Sequence, residues 1–292
     1  MRFAPFALAA GLIAAVTAQA EPTVPPQADW DAARQTITTD EGLDLAYVEL
    51  GTGEGVPLIL LHGYTDNSRS WSLPAPYLGD RPIYALDLRG HGASEAPECC
   101  YGLDSFAHDV IDFMDAKGIE KADLVGHSLG SMTAAIVAAT EPERVNKLVL
   151  ISSAMKTPQG SGDWLRENVP ALQHPIDPDS QFMLDWYWNP TPVDEDFLTR
   201  ERTESAAVPQ QVWMGVLNAL SITDWSALAP QITAPTLILW GDQDSLFGAP
   251  EQEALRAALP QARFEAFEGL GHNMFWEQPQ RVGQLLTGFL DE

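Results

Sequence analysis

The stretch Leu124-Val125-Gly126-His127-Ser128-Leu129-Gly130 constrains this chain more than any other, because an apolar run stops there at a serine held between two glycines. A side chain at a sharp strand-to-helix turn needs small neighbours, since a Cβ at either glycine would collide with the adjoining strand and helix. The flanks predict that context. Residues 122–126 read as a short buried strand, and residues 131–139 as a small-residue helical run ended by Pro142. Ser128 then stands exposed above a helix N-terminus, where the helix dipole favours developing negative charge and the first amide, on Leu129, is free to bind an oxyanion.

Around this turn, strand and helix signals alternate. Apolar runs at 56–61 and 83–86 read as strands, and a fully apolar run indicates a parallel sheet covered on both faces; 147–151, 236–240 and 264–267 read as further strands. Residues 36–39 and 45–50, separated by Asp40-Glu41-Gly42, resemble a hairpin. Phe106, Val110, Phe113 and Met114 repeat at helical spacing, with Asp104 or Ser105 as the expected cap, and residues 251–259 are also helical. Val282, Leu285, Leu286, Phe289 and Leu290 share one face of a closing helix. The pattern predicts an α/β fold, a mostly parallel, doubly wound, eight-stranded sheet with functional groups beyond the strands' carboxyl ends.

Two segments stand outside this alternation. At the start, Arg2, an apolar stretch over 3–16 and Ala18-Gln19-Ala20 before Glu21 form a signal-peptide pattern, so residues 1–20 are expected to be removed and the protein exported, periplasmic or secreted. No later segment is long and uncharged enough to span a membrane. The second is the interval 156–230, far longer than a simple crossover needs. It holds Trp164, Trp186, Trp188, Trp213 and Trp225 and reads as an inserted helical cap, with residues 21–155 and 231–292 forming the core. Trp186 and Trp213, with His127 beside the serine, are the expected substrate contacts.

Charge narrows the partners. The chain carries 16 Lys and Arg against 41 acids, a formal charge of -25, and losing Arg2 with the leader makes it -26. Nucleic acid is excluded, because binding a polyanion requires clustered basic side chains. Repulsion also disfavours anionic substrates and membrane surfaces. Residues 156–230 alone hold eleven acids and four bases, which favours a neutral or cationic substrate with apolar bulk. The only cysteines, Cys99 and Cys100, are adjacent; their Cα atoms are about 3.8 Å apart, so a strained vicinal disulfide and two free thiols both stay open. No His or Cys cluster has metal-ligand spacing, and no metal or cofactor is expected.

A serine hydroxyl is a weak nucleophile at neutral pH and needs a base, which in turn needs an orienting acid. His272 lies just after the final strand, in Gly269-Leu270-Gly271-His272-Asn273-Met274. The preceding strand ends in Trp240-Gly241-Asp242-Gln243-Asp244, which offers two carboxylates. The order Ser, Asp, His suits an α/β-hydrolase arrangement.

Together His62-Gly63, Asp87-Leu88-Arg89-Gly90-His91-Gly92-Ala93-Ser94, Gly126-His127-Ser128-Leu129-Gly130, Gly241-Asp242-Gln243-Asp244 and Gly271-His272 make the chain similar to the α/β-hydrolase superfamily, in its capped esterase, lactonase and haloperoxidase-like branch. The resemblance covers nearly all of the expected mature chain. It implies Ser128 as nucleophile, His272 as base and Asp244 as acid, with Asp242 a turn residue. It further implies an oxyanion hole from the backbone N–H groups of Tyr64 and Leu129, and loop-bracing roles for His62 and His91. The alternative acid site of some relatives reads Ser152-Ser153-Ala154 here and holds no carboxylate. A serine nucleophile sets the chain apart from relatives that use a carboxylate there, the haloalkane dehalogenases and epoxide hydrolases. The implied activity is hydrolysis of a carboxylic ester or lactone. The same triad also serves carbon-carbon bond hydrolases and perhydrolases, and some proteins of this fold act as ligand receptors without turnover.

Overall fold

The computed structural model describes residues 26–292, and the expected leader lies outside them. The eight strands are β1 (Arg34–Thr38), β2 (Asp44–Leu50), β3 (Leu58–Leu61), β4 (Ile83–Leu86), β5 (Ala122–His127), β6 (Val145–Ile151), β7 (Thr236–Gly241) and β8 (Arg263–Phe267). They form one sheet in the order β1-β2-β4-β3-β5-β6-β7-β8. Only β1 with β2 and β2 with β4 pair antiparallel; every pairing from β4 to β8 is parallel. The apolar runs become these strands for the reason the sequence suggests: β3, β4 and β5 are buried at every residue, so both faces need apolar side chains.

Among the described residues ten α-helices accompany the sheet: α1 (Gln27–Ala32), α2 (Leu103–Ala116), α3 (Leu129–Thr140), α4 (Gln159–Asn168), α5 (Gln181–Trp186), α6 (Glu195–Ala206), α7 (Gln210–Ile222), α8 (Ala249–Ala258), α9 (Met274–Glu277) and α10 (Pro279–Leu290). The helix α3 is buried at every residue but Thr140, which its run of small side chains makes feasible. In α2 the expected side-chain cap is not formed. The helix begins a residue earlier than Asp104 because Leu103 is already in the core, Gly102 takes the cap position, and Asp104 falls in the first turn, where its charge faces the positive helix end.

Chain order places a topological switch between β3 and β5. From β3 the chain moves to β4 on one side and then crosses to β5 on the other, opening a crevice beyond the carboxyl ends of both strands. Leu61 is in register with Gly126 there, so the residues after β3 and after β5 enter the crevice side by side.

Between β6 and β7 the chain builds α4 to α7, the helical content expected for 156–230. The segment is tied to the strand layer by a buried charge cluster. Arg69, whose side chain is wholly buried, donates to Glu204 of α6 through Nη2 at 2.6 Å and Nε at 3.1 Å, to Asp31 at 2.5 Å and to the Gln27 carbonyl at 2.8 Å. Arg34 adds a second contact to Glu204 at 3.2 Å. Burial pushes the Glu204 carboxyl up, but the Arg69 hydrogen bond and the charges of Arg34 and Arg69 outweigh it and hold the group below its ordinary range. Arg69→Met removes a wholly buried donor from Glu204 and Asp31 but leaves both beside Arg34, so it is expected to cost about 1–3 kcal/mol in urea unfolding. Arg69→Lys should recover little of it, because one ammonium cannot reach all these acceptors.

Cys99 and Cys100 are exposed free thiols. Among the described residues no helix is long and apolar enough to cross a membrane.

Candidate active site

Ser128 sits at the junction of β5 and α3 with φ 51° and ψ -118°, a conformation side-chain-bearing residues rarely adopt. Its neighbours hold it there. A Cβ on Gly126 would lie 2.3 Å from the Gly130 carbonyl oxygen, and one on Gly130 would lie 2.4 Å from the Leu61 oxygen, so both glycines are required by contact. The Ser128 N–H donates to the Ile151 carbonyl at 3.0 Å, anchoring the turn to β6. Leu129 opens α3, so its N–H has no partner inside the helix.

The segment after β3 brings its own strained residue. Thr65, at φ 68°, accepts from the Trp186 indole N–H at 3.1 Å and fixes that ring beside Tyr64. His62 spans this segment and the one after β4: its Nδ1–H donates to the Gly63 carbonyl at 2.8 Å and its Nε2 accepts from the Leu88 N–H at 2.9 Å. Burial holds both His62 and His91 well down from the ordinary histidine range, His91 to about 4, as suits neutral rings that brace loops.

His272 follows β8, and its Nδ1 lies 2.9 and 3.0 Å from the two carboxylate oxygens of Asp244. Asp244 is itself oriented, because its Oδ1 also accepts from the N–H groups of Leu246 and Phe247 at 2.8 and 3.0 Å. Asp242 points elsewhere. It accepts from the Gly269 N–H at 2.7 Å and closes the turn, as expected for a turn residue. The backbone carbonyl of His272 receives two side-chain donors, Ser152 Oγ at 2.7 Å and His127 Nε2 at 3.1 Å. Ser152 is a further left-handed residue, at φ 47°, at the end of β6.

Ser128, His272, His127, Tyr64 and Trp186 line one cavity of about 500 Å³. Among the described residues no direct hydrogen bond joins Ser128 to His272, though both face the same cavity. A second lobe of about 20 Å³ also opens on Ser128, lined by Thr157, Leu165, Leu220, Leu246 and Phe247. Trp213 is the correction. It lies wholly buried behind the cavity wall, edge-on to Tyr64 at 5.3 Å and tilted against Trp186 at 6.4 Å, so it supports lining residues and is not one itself. The reason is that α7 turns the Trp213 side chain into the core shared with Val212, Val216 and Leu217.

Several cavity residues escaped the sequence reading, Asp66 foremost. It is 5% exposed, its Oδ1 accepts from the Tyr187 hydroxyl at 2.8 Å, and its Oδ2 lies 3.9 Å from His127 Nδ1. Burial pushes the Asp66 carboxyl up to about 7. Gly63 is what lets this pair approach: a Cβ there would meet Asp66 Oδ2 at 2.8 Å and His127 Nδ1 at 2.9 Å. Trp164, Trp188 and Trp276 also line the cavity. The one available signal was position, since Asp66 follows His62-Gly63 by three residues and Trp276 follows His272 by four.

The eight-stranded sheet, the strained serine at its switch point and the histidine-carboxylate contact define a class, and the match to the family model for the alpha/beta hydrolase fold over residues 56–279 establishes it. The chain belongs to the alpha/beta hydrolase fold family. Within it, the chain is 31% identical to a dihydrolipoyllysine-residue acetyltransferase component of the acetoin cleaving system from Pseudomonas putida, over 84% of this chain and 66% of that protein, just under two thirds of its length. It is 28% identical to a non-heme chloroperoxidase from Streptomyces lividans, over 87% of this chain and 99% of that one. Among solved structures it resembles a membrane phospholipase A that is a bacterial virulence factor, with a TM-score of 0.77 and 28% identity, covering 91% of this chain and 88% of the other.

Proposed function

We propose that the protein is an exported serine hydrolase that cleaves a carboxylic ester or lactone through an acyl-enzyme on Ser128. The observation that carries the reading is the double contact of His272 Nδ1 with Asp244, on a histidine that lines the same cavity as the strained Ser128. Asp244 fixes the tautomer in which Nδ1 carries the proton and Nε2 is the acceptor. Nε2 takes the Ser128 proton as Oγ attacks the carbonyl carbon, and the Asp244 carboxylate stabilises the imidazolium. The tetrahedral oxyanion is bound by the N–H groups of Leu129 and Tyr64, of which the first also lies at the positive end of α3. The imidazolium then protonates the leaving oxygen, and water repeats the cycle on the acyl group.

The inserted helical segment acts as a cap that selects the substrate. Its small lobe takes the acyl chain and its size limits that chain, since about 10–15 Å³ of such space holds one water-sized group. Nitrophenyl acetate is therefore expected to exceed the octanoate in kcat/KM by at least about fivefold, the lower end of what overpacking costs. Leu220→Ala should move the optimum toward longer acyl chains.

The test is a hydrolysis screen across nitrophenyl esters, lactones and a diketone, with Ser128→Ala as the blank. Sustained turnover of an ester or lactone that the variant lacks supports the reading. Turnover of the diketone alone would make the protein a carbon-carbon bond hydrolase, and binding without turnover would make it a receptor. The chloroperoxidase relative favours one addition, perhydrolysis by the same residues when peroxide replaces water.

A further inference from the structure

The composition of the large cavity points to a particular charge on its ligand. Six aromatic side chains line it, Tyr64, Trp164, Trp186, Tyr187, Trp188 and Trp276, and no lysine or arginine does. Two carboxyls face it: Asp185, which is exposed, and Asp66, which is buried. Asp66 has no Lys or Arg partner among the described residues, and its one charge-capable neighbour within ion-pair reach is His127. That ring offers it no positive charge. Its Nε2–H is donated to the His272 carbonyl, its Nδ1 is an acceptor, and burial holds it neutral. Asp66 thus faces an acceptor atom and a cavity whose lining holds no Lys or Arg, so a cation bound there would favour its charged form.

The walls beside Asp66 suit a cation as well. Tyr187, which donates to Asp66, stacks on Trp276 with ring centroids 6.1 Å apart and planes within 8°. Trp164 and Trp186 form a second stack with Phe182, parallel to within 10°. Aromatic faces attract ammonium groups through the ring quadrupole, most strongly where water is excluded. The chain's charge of -25 steers cations toward the opening.

We propose that this cavity recognises an ammonium group, so that the substrate is an ester of a cationic alcohol whose charged end sits between Asp66 and the aromatic wall. The inference rests on the hydrolase reading only for the word substrate; the site itself is a cation site whether or not Ser128 turns the ligand over. Asp66 would gain a counter-charge, and the ester carbonyl would reach Ser128 from the same cavity.

Two measurements test it separately from catalysis. In the first, tryptophan fluorescence is titrated with tetraethylammonium and with a neutral alcohol of similar bulk, in the wild type and in Ser128→Ala. The ammonium ion should bind at least about tenfold more tightly, as expected for a desolvated cation–π site, and equally in both proteins. Equal affinity for the two probes, or no binding of the cation, overturns the proposal. In the second, kcat/KM is compared for choline acetate and its uncharged carbon isostere, dimethylbutyl acetate. A preference of about tenfold or more for the cation, reduced in Asp66→Asn and in the exposed-ring variant Trp188→Ala, supports it. Equal turnover of the pair overturns it while leaving a Ser128-dependent hydrolase intact. Cation binding with no turnover of any ester sustains the cation site and removes the hydrolase reading.

Discussion

Ser128→Ala is expected to abolish turnover while leaving the fold unchanged. The Ser128 hydroxyl has no hydrogen-bond partner within the described residues, so its removal strands no buried group. Alanine meets the same φ of 51° as serine and adds no volume beside Gly126 and Gly130. In the proposed mechanism the variant loses the atom that carries the acyl group, and water held in its place lacks both the position and the activated proton. Loss of the nucleophile in a serine hydrolase that uses such a residue group lowers kcat by a factor on the order of a million. Steady-state kinetics on the best ester of the screen measure it, with circular dichroism and a urea melt as the control for folding. Retention of more than a few per cent of wild-type kcat would show that another group performs the attack.

The second large effect separates two carboxylates two residues apart. Asp244→Asn is expected to lower kcat by about a thousand- to ten-thousandfold, because an amide can offer its NH2 to His272 Nδ1 and stabilise the wrong tautomer. The amide oxygen can still accept from the Leu246 and Phe247 N–H groups, so the loop should hold. Asp242→Asn should change kcat by no more than a few-fold, since its role is to accept the Gly269 N–H in a turn that an amide oxygen also satisfies. The reverse ranking would mean that Asp242 orients the base.

The inner sheet was readable in the sequence because burial on both faces selects apolar residues: the runs at 56–61, 83–86 and 122–126 correspond to the fully buried strands β3, β4 and β5, whereas β1 and β8 at the edges are largely exposed. The turn around Ser128 was readable because its steric demand falls on two glycines of the same heptapeptide. Asp244 became separable from Asp242 only through the resemblance; in the structure Asp244 contacts His272 Nδ1 and Asp242 accepts the Gly269 N–H. What stayed hidden depends on pairs far apart in the chain. Asp66 gains its meaning from Tyr187, 121 residues away, and Ser152 from the His272 carbonyl, 120 residues away. The four helices between β6 and β7 show the same limit. Their tryptophans mark an aromatic segment, yet only the packing of α5 and α7 decides that Trp186 faces the cavity and Trp213 backs it. In α2 local preference lost to packing, since burial of Leu103 set the start of the helix ahead of the capping side chain.

A covalent acyl group on Ser128 Oγ, as proposed, is detectable directly by intact-mass measurement. The protein would be mixed with excess of an aryl ester whose acyl group fits the small lobe, quenched in acid within the first turnovers, and digested for peptide mapping. The expected result is a mass increase equal to one acyl group, confined to the peptide containing Ser128 and absent from Ser128→Ala. An acyl group on another residue, or rapid ester turnover with no adduct under any quench time, would contradict it.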